Sequence, residues 1–179
     1  MKIVSQKLAL DAGIFKVFEV KLLNNKKELT HSVLRFTGTI CVLPVTEKGT
    51  IILERQYRTA LDRYILEIPA GKIDEGEEPE LCLHRELEEE TGLRAIKFKK
   101  CFEGFVTCGY SDEYMHYFVA LTQTIPDGQR NHFPDPDEEI ELVEITVEKA
   151  LEMIKEKEII DSKTITLIYL YASGAVHWE

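Results

Sequence analysis

Between Gly71 and Leu93 the chain reads GKIDEGEEPELCLHRELEEETGL, and this stretch limits the possible folds more than any other. Pro79 suits a helix start, where its missing N–H costs nothing, and Gly92 suits a C-cap, so the spacing predicts a helix over 79–91. On that helix Glu86 and Glu90 are i,i+4 and Glu89 is three residues from Glu86, so three carboxylates share one face. Like charges so placed repel by roughly 0.2–0.5 kcal/mol per pair. Arg85 reaches Glu89 across one turn, but one arginine does not neutralise the cluster. Leu81, Leu83 and Leu87 supply an apolar side, which implies a docked helix.

The rest of the chain has strand-like and helical runs in a definite order. Strands are expected at Phe15–Leu22, Thr39–Val45, Thr50–Leu53, Tyr64–Ile68, Lys97–Phe102, Tyr114–Thr122 and Ile140–Ile145. Pro69-Ala70-Gly71 reads as a loop, and DGQRNHFPDPDEE, with Pro134 and Pro136, as another. Two helices close the sequence, after Thr146 and after Asp161-Ser162. No repeat or linker is evident. Strands, a central helix, more strands and terminal helices suggest an α+β arrangement or an α/β/α sandwich.

At 179 residues the chain is long enough for one sizeable core. Gln6, Lys7 and Asp11 interrupt the N-terminal apolar residues, so no signal peptide is expected. No run approaches the roughly 18 apolar residues of a membrane span. A cytoplasmic location follows as the expectation, with neither a membrane nor a nucleic acid as partner. The net charge of −10 opposes binding to a phosphate backbone. It also makes a small anionic substrate awkward unless a local basic pocket or bound cations intervene. Cys41, Cys82, Cys101 and Cys108 lack metal-ligand spacing and read as buried free thiols. No histidine pair has ligand spacing.

An acidic face is most simply a solvated one. Here it lies on a docked helix beside Ala70-Gly71, where glycine permits a close backbone approach. Carboxylates and a backbone carbonyl are the ligands that Mg²⁺ or Mn²⁺ prefers. The residues match G-x5-E-x7-R-E-U-x-E-E-x-G-U, with U a bulky aliphatic, at Gly71, Glu77, Arg85, Glu86, Leu87, Glu89, Glu90, Gly92 and Leu93. This segment resembles the Nudix hydrolase signature at every specified position. The resemblance implies an α/β/α sandwich of the Nudix type, with a mixed sheet and the Nudix helix. It further implies Mg²⁺ (Mn²⁺ as a substitute) held by Glu86, Glu90, the Ala70 carbonyl and Glu89, the last as ligand or base, with Arg85 orienting a carboxylate. The metal then bridges diphosphate oxygens while water attacks phosphorus. A bound cation would also resolve the charge conflict.

Outside this box, ERQYR (54–58), YILEIPAGKIDEGE (64–77) and EIIDSKTI (158–165) resemble the ADP-ribose pyrophosphatase and nucleotide-sugar diphosphatase branch. The resemblance implies hydrolysis of ADP-ribose or a related nucleoside-diphosphate sugar. Arg58 would contact phosphates or ribose, and Glu67 would shape the pocket. A mobile loop would bring a general base, here Glu138 by register from Ile140, with Glu139 second. The branch often has S-P-G-F-S-D-E after the box; Thr107 to Glu113 reads TCGYSDE, with Cys108 in place of proline and Gly109 a substrate-binding candidate. That substitution leaves GDP-mannose-like substrates open. Members of the branch form homodimers through N-terminal strands. Residues 1–36 are accordingly expected to be a dimer-forming segment, with Arg35 reaching across, and 37–179 the core. Other Nudix substrates, or a silent nucleotide-binding regulator, are the alternatives; silent domains usually lose box carboxylates, and none is lost here.

Overall fold

Six consecutive residues of β4 (Thr39–Thr46), Ile40 to Val45, are buried, which requires protein on both faces of the strand. Side chains alternate across a strand, so Ile40 and Val42 enter one apolar cluster while Cys41, Leu43 and Val45 enter another. The computed structural model describes residues 1–25, 27–133 and 139–178. In it, β4 lies inside a seven-stranded mixed sheet with β5 (Ile51–Arg58), β6 (Arg63–Glu67), β7 (Ala70–Lys72), β8 (Leu93–Phe105), β9 (Tyr114–Thr124) and β10 (Ile140–Ile145). The order is β10-β5-β4-β9-β8, with β6 on β5 and β7 on β4. Only β4 and β9 run parallel; the other pairs are antiparallel.

Helix α1 (Pro79–Thr91) covers one face, where Leu83 and Leu87 pack with Ile40, Val42 and Phe118. Helices α2 (Val147–Lys155) and α3 (Ser162–Ala172) cover the other, where Met153, Leu167 and Ile168 pack with Leu43 and Val119. The Thr146 and Asp161 side chains cap these helices by accepting from Lys149 N and Thr164 N. This is the expected α/β/α sandwich. None of the helices is long and apolar enough to cross a membrane among the described residues.

Strands β1 (Lys2–Asp11), β2 (Lys16–Asn24) and β3 (Lys27–Arg35) form a separate antiparallel sheet. It joins the core through a Leu34–Ser111 bridge and an Arg35–Asp112 ion pair at 3.0 Å. Every residue of β1 is exposed, Ile3, Val4, Leu8 and Leu10 included.

Several expectations need correction. Ala70 and Gly71 are not in a loop: they form β7, opposite Cys41 and Ile40. The buried backbone of β4 needs partners there, and Val42 N also donates to Pro69 O at 3.0 Å. Strands β5 and β8 run well past their expected ends because pairing with β6, β10 and β9 holds their polar residues extended. Leu81 is exposed, since it lies about 200° around the helix from Leu83; Cys82 is buried instead. Cys108 is exposed and Cys101 half-buried, so only two of the four thiols are buried.

Leu87 is wholly buried between α1 and the sheet. Leu87→Ala is expected to lower unfolding free energy by about 2–5 kcal/mol, measured by denaturant titration.

Candidate active site

The backbone of Ala70 and Gly71 meets the acidic face of α1. Ala70 N donates to Glu90 Oε2 at 3.1 Å. The Glu86 carboxylate lies so close over Gly71 that a Cβ there would sit inside it, so any larger residue would have to displace the Glu86 side chain. Gly92 has φ 67° and ends the helix as a left-handed C-cap whose N–H donates to Glu88 O. The two box glycines thus have different reasons, close approach and handedness.

Arg85 draws the carboxylates together more completely than helical spacing suggested. Its guanidinium donates to both Glu77 oxygens at 3.0 and 2.9 Å, to Glu86 at 2.7 Å, to Glu89 at 2.9 Å and to Lys72 O at 3.1 Å. It therefore ties α1 to β7 and to the turn carrying Glu77. The hydrogen bond to Glu77 raises the arginine's pKa, and the same bond holds the Glu77 carboxyl below its ordinary 4.5. Glu77 also accepts from Asp74 N at 3.0 Å, which fixes the turn.

Ala70, Gly71 and Lys72 form one wall of a cleft of about 450 Å³. Arg58 and Lys163 line it too, as do the apolar Ile14 and Phe36 from the N-terminal segment. Three cations, Arg58, Lys72 and Lys163, thus line one cavity together with the carboxylates of Glu113 and Asp161, in a chain of net charge −10. The box carboxylates are not themselves lining residues; they adjoin the cleft through Ala70-Gly71. Behind it, Glu67 is almost completely buried between Arg58 Nε and Lys163 Nζ, each at 2.5 Å. Lys163 continues to Asp161 at 3.2 Å, and Asp161 accepts from the Thr164 hydroxyl at 2.6 Å. That hydroxyl accepts from Ile68 N at 3.0 Å, which locks the α3 start onto the strand end before Ala70. Burial is the largest single influence and works against both cations, but the nearby carboxylates, Glu67 foremost, together outweigh it and each pKa is raised.

The structure brings Arg58, Glu67, Ala70, Arg85, Glu86, Glu89 and Glu90 into one region. Gly109 lies apart, in a smaller pocket with Tyr110 and Asp112; Arg35 lines that pocket and also a neighbouring one that shares Ile14, Phe36 and Lys72 with the cleft. Glu139 is distant from the box in sequence and accepts from the Tyr64 hydroxyl at 3.3 Å, beside β6. Glu138 lies outside the described residues. Sequence reasoning missed Lys163, Asp161 and the buried Glu54, which sits opposite Glu67 on β5. The signals for the first two were the branch-like EIIDSKTI segment, to which no role was attached, and an Asp-Ser-Lys-Thr helix start, which reads equally as ordinary capping.

The donor chemistry around Ala70-Gly71, all carboxylate and backbone oxygen, fits a hard divalent cation. Among the described residues no three His, Cys, Asp or Glu side chains already converge on one point.

A crystal structure described as an ADP compounds hydrolase matches at a TM-score of 0.79, over 98% of this chain and 96% of that one, with 21% identity. That likeness concerns the fold alone. A family model described as NUDIX domain matches residues 35–167, and the chain belongs to the Nudix family. An ADP-ribose pyrophosphatase of Bacillus subtilis (strain 168) is 38% identical, with 98% of each chain covered. A methanol dehydrogenase activator of Bacillus methanolicus is 34% identical, covering 98% of this chain and 97% of that one. A GDP-mannose pyrophosphatase of Escherichia coli (strain K12) is 35% identical over 86% of this chain and 81% of its own. The protein is an enzyme, a Nudix-type diphosphatase.

Removing Lys163 leaves Glu67 buried with only Arg58, so Lys163→Met is expected to cost about 3 kcal/mol in urea denaturation. Because the folded-state pKa of Glu77 is depressed, its stabilisation is present above pH about 4.5 and lost as pH falls through the folded value. Glu77→Gln should lower stability at pH 7 and flatten the decline below pH 4.5, read from thermal unfolding across pH.

Proposed function

We propose that this enzyme hydrolyses the pyrophosphate bond of ADP-ribose or a related nucleoside-diphosphate sugar in a Mg²⁺-dependent reaction. Water attacks one phosphorus, the bridging P–O bond breaks, and a nucleoside monophosphate and a sugar phosphate leave. The observation that carries this reading is the pairing of an intact carboxylate face, packed against Ala70-Gly71, with a cleft lined by Arg58, Lys72 and Lys163. A diphosphate linking two apolar or hydroxylated groups needs both halves of that arrangement. The 38% identity to an ADP-ribose pyrophosphatase along nearly the whole chain supports the substrate class.

In this reading Glu86, Glu89, Glu90 and the Ala70 carbonyl hold the cation, with Mn²⁺ able to substitute. When bound, it neutralises charge on the phosphate oxygens and lowers the pKa of water. Arg85 fixes Glu86 and Glu89 in one geometry. Arg58 and Lys163, which line the same cleft, stabilise phosphate oxygens, and Glu67 aims both cations. Ile14 and Phe36 offer an apolar surface for a base or sugar face. Glu138, or Glu139 as second candidate, takes the proton from water.

The same reading divides the chain into a dimer-forming segment, 1–36, and a core, 37–179, and places it in the cytoplasm. The exposed apolar residues of β1 support a homodimer, since a surface of that kind marks association. In such a dimer Arg35 and Gly109 would serve substrate from a second pocket. GDP-mannose is the alternative substrate, left open by Cys108 where ADP-ribose hydrolases of this branch commonly have proline and supported by the 35% identity to a GDP-mannose pyrophosphatase.

Purified protein with Mg²⁺ and a panel of nucleoside-diphosphate sugars is the test. AMP and ribose 5-phosphate, formed preferentially from ADP-ribose, are expected. Preference for GDP-mannose moves the substrate, and no turnover on any sugar nucleotide removes the proposal. Glu90→Gln and Glu89→Gln should each lower kcat by about two orders of magnitude or more while circular dichroism stays unchanged.

A further inference from the structure

The last turn of α1 is electrostatically unfavourable. Carbonyls at a helix C-terminus carry partial negative charge, and here Glu88, Glu89 and Glu90 crowd that end with no basic residue in the turn. A guanidinium arrives from 41 residues further along the chain. Arg130 Nη2 donates to the Glu89 carbonyl at 2.6 Å, and Nη1 packs so that a Cβ on Gly92 would lie 3.3 Å from it. Its own segment folds around it: Nε donates to His132 O at 2.7 Å, and the guanidinium lies 5.0 Å above the Phe133 ring.

A second attachment sits beside the first. The Glu88 carboxylate accepts from the backbone N–H groups of Asn131 and His132, the latter at 3.3 Å. Ile125 N donates to Gly92 O at 3.1 Å, and His132 Nδ1 is 3.7 Å from Glu89 Oε1. Glu88 occupies the unspecified position of the box, between Leu87 and Glu89. Its carboxylate is committed to the 131–132 backbone, while Glu89 is held by Arg85 and Glu90 by Ala70 N.

We propose that Arg130 and Glu88 form a clasp that positions the carboxylates of the last α1 turn, Arg130 being a positioning residue for the reaction. The inference rests on the assignment of Glu89 and Glu90 as cation ligands. Two carboxylates drawn toward a cation pull on a turn whose carbonyls lack intrahelical partners. By binding the Glu89 carbonyl, Arg130 resists fraying at the residue whose side chain must stay in place. Glu88 keeps the arginine's segment from swinging away. Neither side chain touches substrate.

The test combines calorimetric Mn²⁺ binding with steady-state kinetics for wild type, Arg130→Ala, Arg130→Lys, Glu88→Ala and Glu90→Gln. Arg130→Ala is expected to weaken Mn²⁺ binding and lower kcat by about tenfold each, the size usual for residues behind a metal ligand, with KM for substrate nearly unchanged. Arg130→Lys should recover part of both, and Glu88→Ala should show a smaller loss in the same direction. Wild-type Mn²⁺ affinity and kcat in Arg130→Ala, with only a lowered Tm, would overturn the clasp. If Arg130→Ala does not fold, wild-type values in both Arg130→Lys and Glu88→Ala overturn it equally. Glu90→Gln separates the underlying assignment. Weakened Mn²⁺ binding there alongside an unaffected Arg130→Ala rejects the clasp alone. Unweakened binding in Glu90→Gln rejects the ligand assignment and the clasp with it.

Discussion

Arg85 is the interaction on which the rest of the site depends. A helix with Glu86, Glu88, Glu89 and Glu90 in its last two turns has a local excess of negative charge that solvent alone would leave repelling. Arg85 engages Glu77, Glu86, Glu89 and the Lys72 carbonyl at once, so one cation joins the helix, the preceding turn and strand β7. The guanidinium geometry is what allows this: a planar fork of donors reaches several acceptors where an ammonium would behave as a single point charge.

That junction works only because β4 supports both sides. Its alternating apolar residues seat α1 above and α3 below, so the acidic helix and the Lys163–Glu67 network are held by one rigid strand. The two polar systems then meet at Pro69-Ala70-Gly71. Glu90 and Glu86 approach from one side, and Thr164, through Ile68, anchors the other. Buried polar groups of this kind are costly unless every member is paired, which is why the network extends from Arg58 to Asp161 instead of stopping at Glu67.

The clasp on the last turn of α1 follows the same logic. Two arginines from different parts of the chain serve one acidic helix, Arg85 on its side chains and Arg130 on its terminal carbonyl. The Nudix box specifies the first and leaves the second to the remainder of the fold.

Local periodicity and the spacing of the box determined a great deal by themselves. They located α1, Gly71 and Gly92, placed three carboxylates on one face, and identified the family, because each of these depends on residues within one or two helical turns. The boundaries of β10 were legible for the same reason, as a short stretch of Ile, Leu and Val broken by two glutamates after a polar loop. Strand β7 was not: Ala-Gly-Lys has no strand signal, and only the unpaired edge of β4 makes it extended. Lys163 was not legible either, because its partner Glu67 lies 96 residues away in the chain. The same holds for Arg130, whose acceptor is a backbone carbonyl with no side-chain signature. Short-range chemistry is written in neighbouring residues; which distant cation neutralises which buried carboxylate is decided only when the sheet brings them within hydrogen-bonding distance.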